Sequence, residues 1–131
     1  MARRRTELLT DVELELMIAL WKIGSGSVRD VMAALEDGTD RAYTSIATMM
    51  KILEDKGYVT SERRERTLYY APAVAKSDYE GRSLRNLSDA LFGGTPTALV
   101  ARLVDDGDLT DDMIQEIKKI IDTRIKKDDS S

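Results

Sequence analysis

The segment 40–70, DRAYTSIATMMKILEDKGYVTSERRERTLYY, constrains the fold of this chain more than any other segment. Its first half has the apolar spacing of an amphipathic helix at about 100° per residue, and its second half has the β-rich runs of a short hairpin. The apolar side of the predicted helix consists of Ala42, Ile46, Met49 and Leu53. We expect Asp40 to cap this helix and Gly57 to end it. A helix followed at once by a hairpin predicts the winged form of a helix-turn-helix.

The outward side of the predicted helix is small, polar and free of acidic residues until Glu54. The major groove of DNA, about 12 Å wide, accepts such a helix, and hydroxyl, methyl and ammonium groups can contact base edges or phosphates there. In a helix-turn-helix, residues near the start of the second helix reach the bases. The candidate DNA-binding residues of this helix, at about 41–56, are therefore Arg41, Tyr43, Thr44, Ser45, Ala47, Thr48 and Lys51. Two simpler interpretations stay open: the polar side faces only water, and Tyr43 packs against the neighbouring helix.

The hairpin is predicted from two runs of β-branched and aromatic residues, 58–60 and 68–70, which a charged loop separates. The loop carries Arg63, Arg64 and Arg66, and together with its flanks it forms a predicted wing at about 60–70. We expect these arginines to contact DNA phosphates, which position a protein without specifying sequence. The competing interpretation is an ordinary solvated loop.

Two further helices are predicted before this segment. Thr10 and Glu13 form a capping box that opens a helix through about Ile23, and Gly24 closes it. Its apolar residues are Val12, Leu16, Ala19, Leu20 and Ile23 on one side, with Met17 and Trp21 on a second. Residues 24–26 form a predicted turn, after which Ser27 starts a shorter helix. This shorter helix and the helix at 41–56 have the proportions of a helix-turn-helix.

The back half of the chain predicts three amphipathic helices after Pro72. Their starts are a capping box at Ser77 and Glu80, a cap followed by proline at 95–96, and a cap at Thr110. Because about 60 residues offer too small a core to stand alone, we expect two chains to pair through these helices as a twofold dimer. The candidate dimerisation residues are Leu84, Leu87, Leu91, Leu99, Leu103, Ile114, Ile117 and Ile121. Packing of the helices back onto the same chain is the alternative.

The predicted fold class is therefore mainly α with a small β-hairpin wing. A winged helix-turn-helix DNA-binding domain occupies 1–72, and a three-helix dimerisation tail occupies 73–131. Residues 1–8 form a basic arm whose arginines, Arg3, Arg4 and Arg5, either follow a DNA backbone or minor groove or belong to a solvated tail.

The composition excludes several other functions. The net charge of −4 provides no overall attraction to nucleic acid, but residues 41–66 carry 6 basic and 4 acidic side chains. The chain has no cysteine and no histidine, which removes thiolate metal sites, cysteine nucleophiles and histidine bases. We therefore predict no metal site, no cofactor and no enzyme activity. With no apolar run near the roughly 20 residues of a membrane span, we expect a soluble, cytoplasmic protein without a membrane partner.

Several short stretches together resemble the penicillinase-repressor family of the BlaI and MecI type along nearly the whole chain. They are 9–13 (LTDVE), 20–21 (LW), 27–31 (SVRDV), 42–50 (AYTSIATMM), 56–57 (KG), 70–72 (YAP) and 91–94 (LFGG). The resemblance implies a winged-helix head, a dimerising helical tail and repression through binding to inverted-repeat operators of the TACA/TGTA kind. It places the groove-facing helix on 42–51 and the wing on 60–70.

Two departures from the family pattern limit what the resemblance implies. Relatives that sense β-lactams are cut by a protease at an asparagine–phenylalanine bond, and the matching position here holds Arg102 and Leu103. An upstream sensor protease would therefore need another specificity. Copper-responsive relatives use a cysteine motif that this chain lacks. A protein-binding adaptor that does not bind DNA is the alternative function.

Overall fold

The computed structural model describes residues 8–35 and 41–129, which form six helices and three strands. The elements are α1 (Asp11–Ile23), β1 (Gly26–Ser27), α2 (Val28–Ala34), α3 (Tyr43–Asp55), β2 (Val59–Arg64), β3 (Thr67–Pro72), α4 (Lys76–Leu91), α5 (Pro96–Asp105) and α6 (Asp111–Asp129). The mainly helical fold with a small β wing is confirmed. The predicted arm arginines and the Asp40 cap lie outside the described residues.

Local sequence signals fix the ends of α1 and α2. The Thr10 hydroxyl accepts from the Glu13 N–H at 3.3 Å, and the Glu13 carboxylate accepts from the Thr10 N–H at 2.9 Å, so the predicted capping box is present. Ser27 and Asp30 form a second capping box at the start of α2. Gly24 ends α1 with a φ of 87°, a conformation that glycine adopts without steric cost.

Helix α3 begins later than predicted. The residue at its N-cap is Ala42, in an extended conformation and without a side-chain capping bond. Ala42 was expected on the apolar side but is exposed, because it precedes the first helical turn. At the other end, Gly57 has a φ of 87° and follows the last turn, as predicted.

The hairpin belongs to a three-stranded antiparallel sheet of order β1-β3-β2. Residues 24–26 were predicted as a turn, but Gly26 and Ser27 pair with Tyr70 and Tyr69 of β3. An added Cβ at Gly26 would lie 2.7 Å from the Asp30 Cβ, so the absence of a side chain lets this strand lie beside the α2 capping box. The sheet holds the wing against the helical core.

The core of the first compact unit, which runs to Leu84, is built from α1, α2, α3 and the sheet. Ile46, Met50 and Leu53 are fully buried on α3, so Met50 belongs to the core although the predicted apolar side omitted it. Ile23 was expected to line the apolar side of α1 but is 38% exposed, because it is the last residue of that helix.

Three aromatic rings extend this core into the start of α4. The Tyr79 ring lies 6.0 Å from the Trp21 ring and 5.9 Å from the Tyr58 ring, centroid to centroid. The Tyr79 hydroxyl also accepts from the Leu9 N–H at 2.9 Å. The first compact unit therefore includes the start of α4, and the second begins after Leu84.

The second compact unit begins at Arg85 and contains the rest of α4 with α5 and α6. Thr95 and Pro96 start α5 as predicted, and Thr110 caps α6 by accepting from the Met113 N–H at 3.1 Å. The predicted Ser77 cap is wrong, because α4 already begins at Lys76 and Ser77 lies in its first turn.

Within 8–35 and 41–129, no helix combines the length and apolar character needed to cross a membrane.

One buried ion pair joins the start of α1 to the end of α3. The Lys56 ammonium donates to both Glu13 carboxylate oxygens, at 2.8 and 2.9 Å, and the Glu13 side chain is only 4% exposed. Burial by itself raises the pKa of Glu13, but hydrogen bonds from Lys56 and Thr10 and the charge of Lys56 outweigh it, and the pKa lies below its ordinary value. The pair therefore favours the folded state when Glu13 is ionised.

We expect this pair to make folding stability depend on pH in the acid range. Because the pKa is lower in the folded state, the contribution is complete above the ordinary value of 4.5 and is lost as the pH falls through the folded value. Glu13→Gln should flatten this dependence and, by leaving the partly buried Lys56 without a counter-charge, destabilise the protein by about 1–3 kcal/mol at neutral pH.

Denaturant unfolding between pH 3 and 7 measures both effects. Glu15→Gln is the matched control, since Glu15 is an exposed carboxylate of the same helix, and it should change stability by less than about 1 kcal/mol. Equal effects of the two substitutions would contradict the structural role of Glu13.

Candidate nucleic-acid interface

The outward surface of α3 is a strip of small polar side chains. Thr44, Ser45, Thr48 and Lys51 are all exposed, whereas Ile46, Met50 and Leu53 on the opposite side are fully buried. The buried residues fix the rotation of the helix about its axis. The structure therefore brings Thr44, Thr48 and Lys51 together on one surface, which we call the α3 strip. Ala47 is partly buried at its edge.

The charge along α3 changes from one end to the other. Lys51 lies 4.0 Å from the Glu54 carboxylate and 3.9 Å from that of Asp55, one turn further along the helix. Glu54 also accepts from the Ser61 hydroxyl of β2 at 2.7 Å. These contacts offset the Lys51 charge at the end of the helix, whereas 43–53 contains no acidic residue. The first half of the α3 strip is therefore the part best suited to meet a polyanion.

Arg41 lies just before α3, and its charge is paired with a carboxylate of α1. Its guanidinium forms an ion pair with the Glu15 carboxylate of α1, and its side chain is 32% exposed. Arg41 also lines a shallow open depression beside α3 with Val12, Ser45 and Thr48. Because its charge is already paired, Arg41 is less available to a ligand than the sequence pattern indicated.

Tyr43, the first residue of α3, contacts the neighbouring helix α2 through a cation–π contact with Arg29 and is not part of the buried core. The guanidinium carbon of Arg29, on α2, lies 4.9 Å from the centre of the Tyr43 ring, while the ring remains 44% exposed. Arg29 was not among the predicted DNA-binding residues, because it lies on a different helix from Tyr43 and helical periodicity cannot predict their contact. Its position in the first turn after the Ser27 cap was the only available signal.

The wing differs from the predicted loop in the extent of its strands. Strand β2 continues through Arg64 and β3 begins at Thr67, so Arg63 and Arg64 lie in a strand and only Glu65 and Arg66 form the turn. Successive strand residues point to opposite faces. Arg64 lies over the Tyr69 ring at 5.0 Å and 3.5 Å from the Glu62 carboxylate. Arg63 and Arg66 are exposed and pair with no carboxylate among the described residues.

Two residues around the wing have unusual local environments. Glu65 has a φ of 59°, in the left-handed region that favours glycine. Tyr70 is a buried residue of strand β3. Burial raises the pKa of its phenol, with smaller electrostatic contributions from Glu54 and Tyr43. Tyr70 therefore stays neutral well above neutral pH and acts as a core residue rather than a charged contact.

The arrangement defines the class of protein. A buried helix with an exposed polar strip, a preceding short helix and a basic hairpin together form a winged helix-turn-helix, the class of folds that place one helix in a DNA groove. The family model for the penicillinase repressor matches residues 9–123, and the chain belongs to that family. The family is one of transcriptional repressors, which confirms the prediction that the chain is not an enzyme.

Individual relatives agree with this assignment. The chain is 25% identical over 114 residues to the penicillinase repressor of Bacillus licheniformis, covering 87% of this chain and 89% of that protein. It is 22% identical over 120 residues to the methicillin resistance regulatory protein MecI of Staphylococcus aureus, covering 92% and 98%. The solution structure of the DNA-binding domain of the repressor BlaI superposes with a TM-score of 0.51 and 28% identity, covering 59% of this chain and 94% of that domain.

The left-handed conformation of Glu65 leads to a stability prediction for the wing. Glu65→Gly should remove a backbone strain of about 1–2 kcal/mol, partly offset by the greater freedom of glycine in the unfolded chain. We expect a net stabilisation of up to about 1 kcal/mol in denaturant unfolding. Arg66→Gly is the matched control at the neighbouring turn position, whose φ is not positive, and it should destabilise the protein. The reverse order would show that Glu65 is not strained.

Proposed function

We propose that this chain is a homodimeric transcriptional repressor that binds inverted-repeat operators in duplex DNA. The α3 strip would enter the major groove, and the wing would contact the backbone beside it. The observation that carries the proposal is the exposed, acid-free first half of the α3 strip, on a fold shared with the DNA-binding domain of BlaI. As a DNA-binding repressor, it would act in the cytoplasm of a bacterial cell.

Thr44 and Thr48 are the residues best placed to distinguish bases. They are one helical turn apart on the exposed strip, and each offers a hydroxyl and a methyl group. A hydroxyl can donate to or accept from base edges, and a methyl can pack against the thymine methyl. Ser45 and Ala47 flank them, with Ser45 the more exposed. We therefore assign sequence discrimination to Thr44 and Thr48.

The wing would contribute affinity rather than discrimination. Arg63 and Arg66 are exposed without an ion pair among the described residues, whereas Arg64 is partly neutralised by Glu62. An arginine that binds a phosphate releases condensed counterions, which makes the affinity depend on salt. Arg63 and Arg66 are thus the stronger phosphate contacts of the wing.

The helices of the tail support the proposed dimer. Of the candidate dimerisation residues, Leu84, Leu87, Leu91, Leu103 and Ile121 are 44–70% exposed, and Leu99, Ile114 and Ile117 are partly buried. From residue 85 to residue 127, no large apolar side chain is fully buried. A second copy could cover these surfaces and place two α3 helices on two half-sites.

Release by an upstream sensor protease would face a structural obstacle. The bond between Arg102 and Leu103 lies inside α5, and Arg102 forms an ion pair with Asp106 at 3.6 Å within the same helical segment. A protease binds its substrate in an extended form, so this part of α5 would first have to unwind.

The assignment of Thr44 and Thr48 can be tested by substitution. We expect Thr44→Ala and Thr48→Ala each to reduce the preference for a duplex selected from a random pool over a random duplex, by about 1–3 kcal/mol for a lost base contact. Fluorescence anisotropy of labelled duplexes measures both affinities. Thr97→Ala, which alters an exposed threonine on α5, is the control. Unchanged discrimination would remove the α3 strip from the base contacts.

Substitutions in the wing should affect the salt dependence of DNA binding rather than sequence discrimination. Arg63→Ala and Arg66→Ala should weaken binding to all duplexes and lower the slope of log affinity against log salt by about one each, while Arg64→Ala should lower it less. Arg124→Ala, an exposed arginine of α6, should leave the slope unchanged. Equal slopes for all four proteins would exclude the wing from the interface. If the wild-type chain shifts no duplex even at low salt, the adaptor alternative is favoured instead.

A further inference from the structure

The stacked pair of Arg29 and Tyr43 lies where α2 and α3 both begin. We propose that Arg29 binds a DNA phosphate at the edge of the groove and that the Tyr43 ring holds its guanidinium in place for this contact. The proposal rests on the function proposed above and adds to it a contact from α2, outside the helix and wing to which DNA binding was assigned.

The position of the pair suits a backbone contact. Arg29 is the second residue of α2, and Tyr43 is the first residue of α3. In a helix-turn-helix the first helix crosses the DNA backbone while the start of the second reaches the bases. A long cation at the start of the first helix, directly beside the start of the second, is therefore within reach of a phosphate that borders the groove.

The stacking leaves the donors of Arg29 available. The guanidinium carbon lies 4.9 Å from the ring centre, at a distance typical of a cation–π contact. All five N–H donors of a guanidinium lie in its plane, so a ring against one face does not use them. The contact restricts a flexible side chain before DNA arrives, which reduces the entropy lost on binding.

The surrounding charges distinguish Arg29 from Arg41 and Arg64. Arg41 is paired with Glu15, and Arg64 is paired with Glu62. Arg29 forms no ion pair with any carboxylate of the described ranges, although Asp30 is its neighbour. The Asp30 carboxylate instead accepts from the Ser27 N–H at 3.0 Å as part of the α2 capping box. Arg29 therefore keeps its full charge for an external anion.

Binding of the full chain to a selected duplex at several salt concentrations tests the contact. We expect Arg29→Ala to weaken binding and to lower the salt slope by about one. Arg29→Lys should keep most of the slope, since the charge is retained, but should weaken binding because an ammonium lacks the planar stacking and the fork of donors. Lys22→Ala, which alters an exposed cation of α1, is the control and should change neither quantity.

A double-mutant cycle with Tyr43→Leu tests the role of the ring. The loss of affinity caused by Arg29→Ala should be roughly two- to fivefold smaller in the Tyr43→Leu background, as expected for loss of an exposed cation–π contact. In the free protein, the Arg29 side-chain protons should show upfield NMR shifts that disappear in Tyr43→Leu.

The possible failures are distinguishable. If the wild-type chain binds no duplex, both this proposal and the proposed function are wrong. If the wild type binds but Arg29→Ala retains its affinity and salt slope, only the Arg29 contact is wrong. Additive effects of the two substitutions, or unshifted Arg29 protons, would exclude the positioning role of Tyr43.

Discussion

The packing of α3 against α1, α2 and the sheet, completed by the ion pair of Glu13 and Lys56, is the constraint on which the rest of the structure depends. Ile46, Met50 and Leu53 determine which side of α3 is buried, and the ion pair joins the end of α3 to the start of α1. Because adjacent helical residues differ by about 100° in direction, a rotation of α3 by one residue position would replace its exposed hydroxyls with apolar side chains. The same contacts that stabilise the core thus present the α3 strip.

A chain with a net charge of −4 can still offer a surface suited to DNA, because its charges are arranged locally. Several cations of the head are partly neutralised within the chain: Arg41 by Glu15, Arg64 by Glu62, and Lys51 by Glu54 and Asp55. Arg29, Arg63 and Arg66 have no such partner within the part of the chain that the structure describes. Helix α3 itself packs against both the helix that carries Arg29 and strand β2 of the wing.

Features governed by neighbouring residues in the chain were predictable from sequence. The caps at Thr10 and Ser27 and the glycine ends of α1 and α3 match the structure, because such signals act within one helical turn. Pairing of Gly26 with Tyr70, the ion pair of Glu13 with Lys56 and the stacking of Arg29 on Tyr43 join residues that are distant in sequence. The spacing of apolar residues cannot predict such long-range contacts. The resemblance to the repressor family predicted the fold but not these individual contacts.

The most direct measurement is the selection of bound duplexes from a random-sequence pool with the full-length chain, followed by sequencing. A dimer that places one α3 helix in each of two major-groove segments predicts enrichment of two half-sites in inverted orientation, with centres separated by about 10 base pairs or a multiple of it. Recovery of duplexes no different from the starting pool, or of a single undivided site without inverted symmetry, would contradict this mode of binding.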